Sequence, residues 1–376
     1  MELPLNLRQK LQTRQKAGIL RQLKTDAAPV DFCSNDYLGL ARSPKMKAAL
    51  EQELLRYPDL PLGATGSRLL SGNSPLIEEL EAFLASFHQG EAALVFNSGY
   101  AANTGFFSAV PQRGDTILYD EASHASIKDG IRLSFAKSFS FRHQDLTDLE
   151  RKMQLASGNV YVVVEALYSM DGDVAPLQDL TEICAQKGAY LVVDEAHANG
   201  IYGNQGEGLV QELNLQHQVF ARILTFGKAL GCHGAVIVGP AELKDFLINF
   251  SRPFIYTTAL PLYAVLCIKC AYMLLPAMSA ERKQLKTLAT YLSQLLLDQD
   301  KGLNINAGES PVKAIRGLSV KNLREVSNSL INKGFDVRPI FSPTVPEGKE
   351  QLRVIVHAFN TETEVFDLVS AIISAI

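Results

Sequence analysis

Six short apolar runs, five of them ending on polar or ionisable residues, constrain the fold of this chain more than any other feature. They are "AALVFNSG", "TILYDEASHAS", "VYVVVEALYS", "AYLVVDEAH", "RILTFGKAL" and "GAVIVG". Runs of four to six apolar residues with little alternation suit strands covered on both faces. Helical patterns such as "PLIEELEAFLASFH" and "LQDLTEICAQKG" separate several of them. Alternating strand and helix predicts an α/β domain around a mostly parallel sheet. After about Leu274 the pattern changes to a long amphipathic helix, "AERKQLKTLATYLSQLLLDQ", then "SPVKAIRGL", "VKNLREVSNSLINKG", "FDVRPIF", "QLRVIVHAF" and "ETEVFDLVSAIISAI". That is a smaller α+β unit. The expected division is an N-terminal arm over 1–40, a large α/β domain over 41–274 and a small domain over 275–376.

The 376 residues suffice for two such domains, and the net charge of −4 carries no long run of one sign. This balance argues against nucleic acid as the partner. The five cysteines are odd in number and scattered, which argues against a disulfide framework and fits a cytoplasmic protein. Cys267 and Cys270 form a lone C-x-x-C in a helical stretch, better read as packing than as a metal or redox site. The N-terminal "MELPLNLRQKLQTRQKAGILRQL" has no unbroken apolar core for a signal peptide, and its Leu and Ile spacing predicts an amphipathic helix. The longest apolar stretch, Leu260 to Met278, contains Lys269 and reads as a buried helix rather than a membrane span.

In an open α/β sheet, ligands bind beyond the carboxyl ends of the strands. The groups there are Asn97-Ser98-Gly99, His124, Ser169, Asp194 with His197, and Thr225 with Lys228. The spelling Asp194-Glu195-Ala196-His197 matches a helicase motif, but that chemistry needs G-x-x-x-x-G-K-[S/T], and the chain has none. A metal on Asp194, His197 and His124 would be short of ligands and supporting groups. Chance burial of one carboxylate and one lysine would be the default for either alone, yet five strand ends carry polar groups. Pyridoxal phosphate finds a candidate among them for each of its requirements. It needs a lysine for covalent attachment and a carboxylate against its ring nitrogen. It also needs N–H groups around its phosphate, as at a helix N-terminus. Lys228, Asp194 and the turn Asn97-Ser98-Gly99-Tyr100 supply these. Thr225 can reach the phosphate and His124 can lie on the ring.

The chain resembles the α-oxoamine synthases, fold-type I pyridoxal-phosphate enzymes. The resemblance rests on "FCSNDYLGLA", "GSRLLSGNSPLIEELEAFLA", "FNSGYAAN", "DEASHASI", "EALYSMDGDVAPL", "VVDEAHANGIYGNQGEG", "TFGKALGCHGA", "FIYTTALP" and "SPTVP...QLRV". Within the family, "GSRLLSGNS", "NSGYAAN" and "SPTVP" are most similar to the branch serving biotin synthesis. Two positions depart from the usual pattern: Ile77 stands where many relatives carry His, and Ala198-Asn199 where Gly-Thr is usual.

The resemblance implies a role for each matching residue. Lys228 attaches the cofactor and moves protons. Asp194 pairs with the ring nitrogen, His197 with the ring hydroxyl, and His124 stacks on the ring and meets the substrate. Gly99, Tyr100, Ser169 and Thr225 contact the cofactor, and Thr257 reaches the phosphate from a neighbouring subunit of a homodimer. Arg353 holds the amino-acid carboxylate with Asn35 nearby; Arg21 and Thr344 meet the acyl group. The implied reaction is a decarboxylating condensation of an amino acid, L-alanine, with a pimeloyl thioester of coenzyme A or a carrier protein. Another branch of the family, a lyase, an aminotransferase or a non-catalytic scaffold are the alternatives.

Overall fold

A computed structural model describes residues 2–21, 23, 25, 28–299 and 303–376. Its centre is a seven-stranded sheet. In spatial order the strands are Ala92–Phe96, Ala235–Gly239, Ala221–Thr225, Tyr190–Asp194, Val160–Glu165, Thr116–Asp120 and Lys137–Phe141. Five neighbouring strands run parallel; Ala235–Gly239 alone runs against its two neighbours. Val162, Val163, Val192 and Val193 are fully buried, as a sheet covered on both faces requires. The edge strand Lys137–Phe141 is absent from the six runs read in the sequence. It alternates, with only Phe141 buried, because an edge strand half open to water needs no continuous apolar run.

A second sheet of four strands, Asn304–Ile305, Val312–Arg316, Arg338–Ile340 and Gln351–Ile355, is antiparallel throughout. Helices Ser279–Leu297, Val320–Asn332 and Glu362–Ala375 accompany it. The N-terminal segment joins this half of the molecule: Val30–Asp31 pairs in parallel with Phe335–Asp336.

Two sequence expectations need correction. The N-terminal helix spans Leu5–Lys16 and buries no residue, so it has no apolar face packed within the chain. Leu5, Leu7 and Leu11 are exposed, and Arg21 lies beyond the helix rather than on it. Helix Leu262–Leu274 buries Val265, Leu266, Ile268, Cys270, Ala271 and Tyr272, as a core helix does. Among the described residues no single helix is long and apolar enough to cross a membrane. All five cysteines are free, and burial raises the Cys267 and Cys270 thiols above their usual range.

Candidate active site

The parallel register brings the strand ends to one level. Glu165 stands opposite Asp194, and Asp194 opposite Ile223, two residues before Thr225. Asp194 is buried, and each of its oxygens accepts one hydrogen bond. Its Oδ2 accepts from Asn103 Nδ2 at 2.8 Å and its Oδ1 from the Ala196 N–H at 2.9 Å. Asn103 also donates to Ser126 Oγ at 3.0 Å, and Ser126 Oγ lies 2.7 Å from His124 Nδ1. A continuous chain of hydrogen bonds thus joins the carboxylate to the histidine.

Lys228 lies within the same field. Burial lowers its amine to about 8, against the pull of Asp194 and Glu165, so a neutral amine is accessible near physiological pH. Burial, then the Asp194 charge, pushes the Glu165 carboxyl up to about 8. Glu165 accepts from the His124 N–H at 2.6 Å and also from the Ser169 N–H. Burial lowers His124, and it lowers His197 well below its usual value, with Lys228 and Arg353 adding to the effect. His197 Nδ1 meets the Tyr37 hydroxyl at 2.6 Å.

The opposite rim is built for an anion. Ser98 caps helix Gly99–Ala109, accepting from the Ala101 N–H at 3.1 Å, and no acidic residue sits in the first turn. The first-turn N–H groups of such a helix have no partners within it. A Cβ at Gly99 would stand 3.5 Å from Thr225 Oγ1, so the helix start and Thr225 border one space that glycine leaves open. The Tyr100 side chain points elsewhere: it is half exposed and its hydroxyl bonds Asp129, leaving only its backbone N–H for this rim. Thr257 Oγ1 accepts from Asn97 Nδ2 at 3.2 Å, next to the same turn of its own chain.

The second sheet supplies the remaining groups. Arg353 Nη2 donates to Asn35 Oδ1 at 2.9 Å, while its Nε is buried without a partner among the described residues. An unpartnered buried guanidinium nitrogen is costly unless a ligand satisfies it. Arg21 and Thr344 meet each other, Nη2 donating to Oγ1 at 2.9 Å on the exposed surface. Ile77 is fully buried on helix Pro75–Phe87 and lines a small cavity with Phe254, Thr257 and Leu260. Asn199 Nδ2 donates to the Thr225 carbonyl and the Tyr272 hydroxyl, each at 3.2 Å, tying the Asp194 turn to the Lys228 strand.

Sequence reasoning missed Asn103, Glu165, Tyr37 and Ser126. A signal existed for two of them. Glu165 ends an apolar run as Asp194 does, and Asn103 lies one helical turn after Gly99. Among the described residues the grouping with metal-like spacing is His143, Asp171 and Asp173; His143 pairs with Asp173, and Asp171 pairs with Arg316.

A buried carboxylate, a half-buried lysine, a helix N-terminus with a glycine-lined space and a guanidinium with one unpartnered nitrogen fit pyridoxal phosphate and its amino-acid partner. The model of the class I and II aminotransferase family matches residues 27–372. By overall shape, serine palmitoyltransferase from Sphingomonas wittichii superposes with a TM-score of 0.91 at 28% identity, covering 100% of this chain and 98% of that one. The S. paucimobilis enzyme, solved with pyridoxal phosphate bound, superposes at 0.88 with 26% identity over 99% and 96% of the two chains. The fold and site therefore define a fold-type I pyridoxal-phosphate enzyme.

By sequence, 8-amino-7-oxononanoate synthase from Emericella nidulans is 42% identical over 98% of this chain and 94% of its own. Its namesake from Trichlorobacter lovleyi is 38% identical over 98% and 97%. The chain belongs to the α-oxoamine synthase family and is a pyridoxal-phosphate-dependent acyltransferase.

Proposed function

We propose that the chain condenses L-alanine with a pimeloyl thioester to give 8-amino-7-oxononanoate, carbon dioxide and free thiol, in biotin synthesis. The observation that carries the reading is the half-buried Lys228 placed in the combined field of Asp194, Glu165 and Arg353. The names of long-range relatives support it.

Residues Gly99, Tyr100, Ser169, Thr225 and His197 would hold the cofactor, with His124 to stack on its ring and Asp194 to pair with its nitrogen. Bound there, the cofactor supplies an electron sink for the charge left on the amino acid's α-carbon. Arg353, with Asn35 beside it, fixes the amino-acid carboxylate through a guanidinium pair that sets orientation as well as affinity. Lys228 takes the α-proton and later returns one, a task that suits an amine lowered by burial. The α-carbon bonds to the acyl carbon as the carbon–sulfur bond breaks, and the carboxylate then leaves as carbon dioxide. His124 donates to the thioester oxygen, where negative charge develops. Arg21 and Thr344 meet the acyl chain.

The active unit is a cytoplasmic homodimer in which Thr257 of each subunit reaches the other subunit's phosphate site. A second reading within the family, serine with a long acyl thioester, is favoured by the superposition on serine palmitoyltransferase. Thiol release by purified protein, measured for Ala, Gly and Ser against pimeloyl, acetyl, succinyl and palmitoyl thioesters, separates the two. Alanine with pimeloyl should be turned over fastest, with one carbon dioxide per thiol. Faster turnover of another pair would replace the assignment.

A further inference from the structure

Arg353 lies on strand Gln351–Ile355, and alternate residues of a strand share a face, so Gln351 points to the same side as Arg353. Gln351 is fully buried and both ends of its amide are used. Its Nε2 donates to the Met170 carbonyl at 2.6 Å, and its Oε1 accepts from Arg316 Nε at 2.9 Å. Arg316 stands one step along from the Ile315–Leu352 register pair, level with Gln351 on the neighbouring strand. Its Nη2 forms an ion pair with Asp171. Met170 and Asp171 directly follow Ser169, whose N–H is held by Glu165.

The backbone of this loop is pressed against the second sheet. Gly172 has φ +72°, and a Cβ there would fall 2.2 Å from the Val312 carbonyl oxygen and 2.6 Å from Asn306 Nδ2. At its far side the loop is fastened to the large sheet. His143 Nε2 meets Asp173 at 3.2 Å, and its Nδ1 meets Asp120 at 2.9 Å. The loop bordering the cofactor pocket is thus gripped from both sheets. The grip on the second sheet lies two residues, about 6.6 Å, from Arg353 along one rigid strand.

We propose that Gln351 and Arg316 form a clasp on the Met170–Asp171 loop that sets the position of Arg353 relative to the pocket. They act as positioning residues for the amino-acid substrate. This rests on the reading that Arg353 anchors the carboxylate. A guanidinium–carboxylate pair tolerates little displacement, and an error of about 1 Å at a positioning group can cost about a hundredfold in rate.

The test uses holoenzyme variants with two readouts: amino-acid binding, followed by the change in cofactor absorbance, and hydrogen–deuterium exchange of peptides spanning 166–175. Gln351→Leu removes both amide contacts. Gln351→Glu keeps an acceptor for Arg316 but sets an acceptor against the Met170 carbonyl. Both should raise the amino-acid dissociation constant and KM about tenfold, leave the thioester KM within about twofold and speed exchange in 166–175. Arg316→Lys, which keeps the charge facing Asp171, should show a smaller loss than either Gln351 variant. If Gln351→Leu does not fold, Asp171→Asn, at a half-buried ion pair, carries the same expectation. Folded variants with wild-type amino-acid affinity and wild-type exchange would overturn the clasp. A wild-type protein that responds to no amino acid would instead overturn the Arg353 reading, and the exchange comparison would still decide the clasp.

Discussion

Asp194 is buried and Lys228 half-buried, where an uncompensated charge is costly, and the proposed reaction gives each a task. Lys228→Ala should lose turnover and the visible absorbance of lysine-attached cofactor; a spectrum and a thiol assay check both. Asp194→Asn should retain cofactor yet slow turnover at least about a hundredfold, about 3 kcal/mol of transition-state stabilisation. Rates near wild type would remove Asp194 from the electron-sink role. Lys313 makes a different kind of prediction. It is fully buried on strand Val312–Arg316, donates to the Gly308 carbonyl at 2.6 Å, and burial lowers its amine to about 8. Below pH 8 both folded and unfolded chains bind its proton, and the folded state carries a buried charge. Between about 8 and the unfolded value of 10.5 only the unfolded chain binds it, so this residue makes stability rise with pH there. His143, raised to about 10 chiefly by Asp120 and Asp173 against the opposing effect of burial, acts in the opposite sense. Its stabilisation is full below about 6.5 and is lost as pH rises through 10. The difference between wild type and Lys313→Met isolates the lysine. The variant should be the more stable at pH 7 by up to about 3 kcal/mol, with the gap closing towards pH 10.5. Denaturant unfolding at several pH values measures it.

At the scale of elements, the turn Asp194–His197 is held from beneath by a buried ion pair. Arg222 Nε donates to Glu195 Oε2 at 2.6 Å, and the guanidinium also meets the His88 carbonyl at 2.9 Å and the Glu207 carbonyl at 2.7 Å. Arg222 belongs to the strand that ends at Thr225, so the pair ties the two strands whose ends carry Asp194 and Lys228. Removing one partner strands the other charge in the interior. Arg222→Ala should destabilise by about 3–5 kcal/mol in denaturant unfolding, whereas Arg222→Met with Glu195→Leu should recover much of the loss. The strands themselves were legible in the sequence because a doubly covered sheet imposes an apolar run that polar residues end. The edge strand Lys137–Phe141 was not, since exposure on one side removes that constraint. The N-terminal helix shows the converse. Its leucine spacing resembles that of a packed helix, but periodicity does not say what covers a face, and among the described residues nothing buries this one.

For the molecule as a whole, that uncovered helix and exposed Leu62, Leu70 and Tyr256 motivate the homodimer. Light scattering at micromolar concentration should give twice the mass of one chain, and deleting residues 2–17 should weaken the association; a monomer at all concentrations would remove the shared site. The sequence by itself determined a mostly parallel α/β sheet, six of its seven strands and the pyridoxal-phosphate class of the protein. Those features are written in local apolar runs and in the residues that end them. It did not determine that Asn103 would reach Asp194, that Glu165 would gather His124 and Ser169, or that Gln351 would grip the loop beside the pocket. Nor did it announce that Val30–Asp31 pairs with Phe335–Asp336. Apart from the short Glu165–Ser169 link, these contacts join residues from 41 to more than 300 positions apart. They depend on strand order and register, which hydrophobic patterning along one segment cannot specify, so tertiary structure alone decided them.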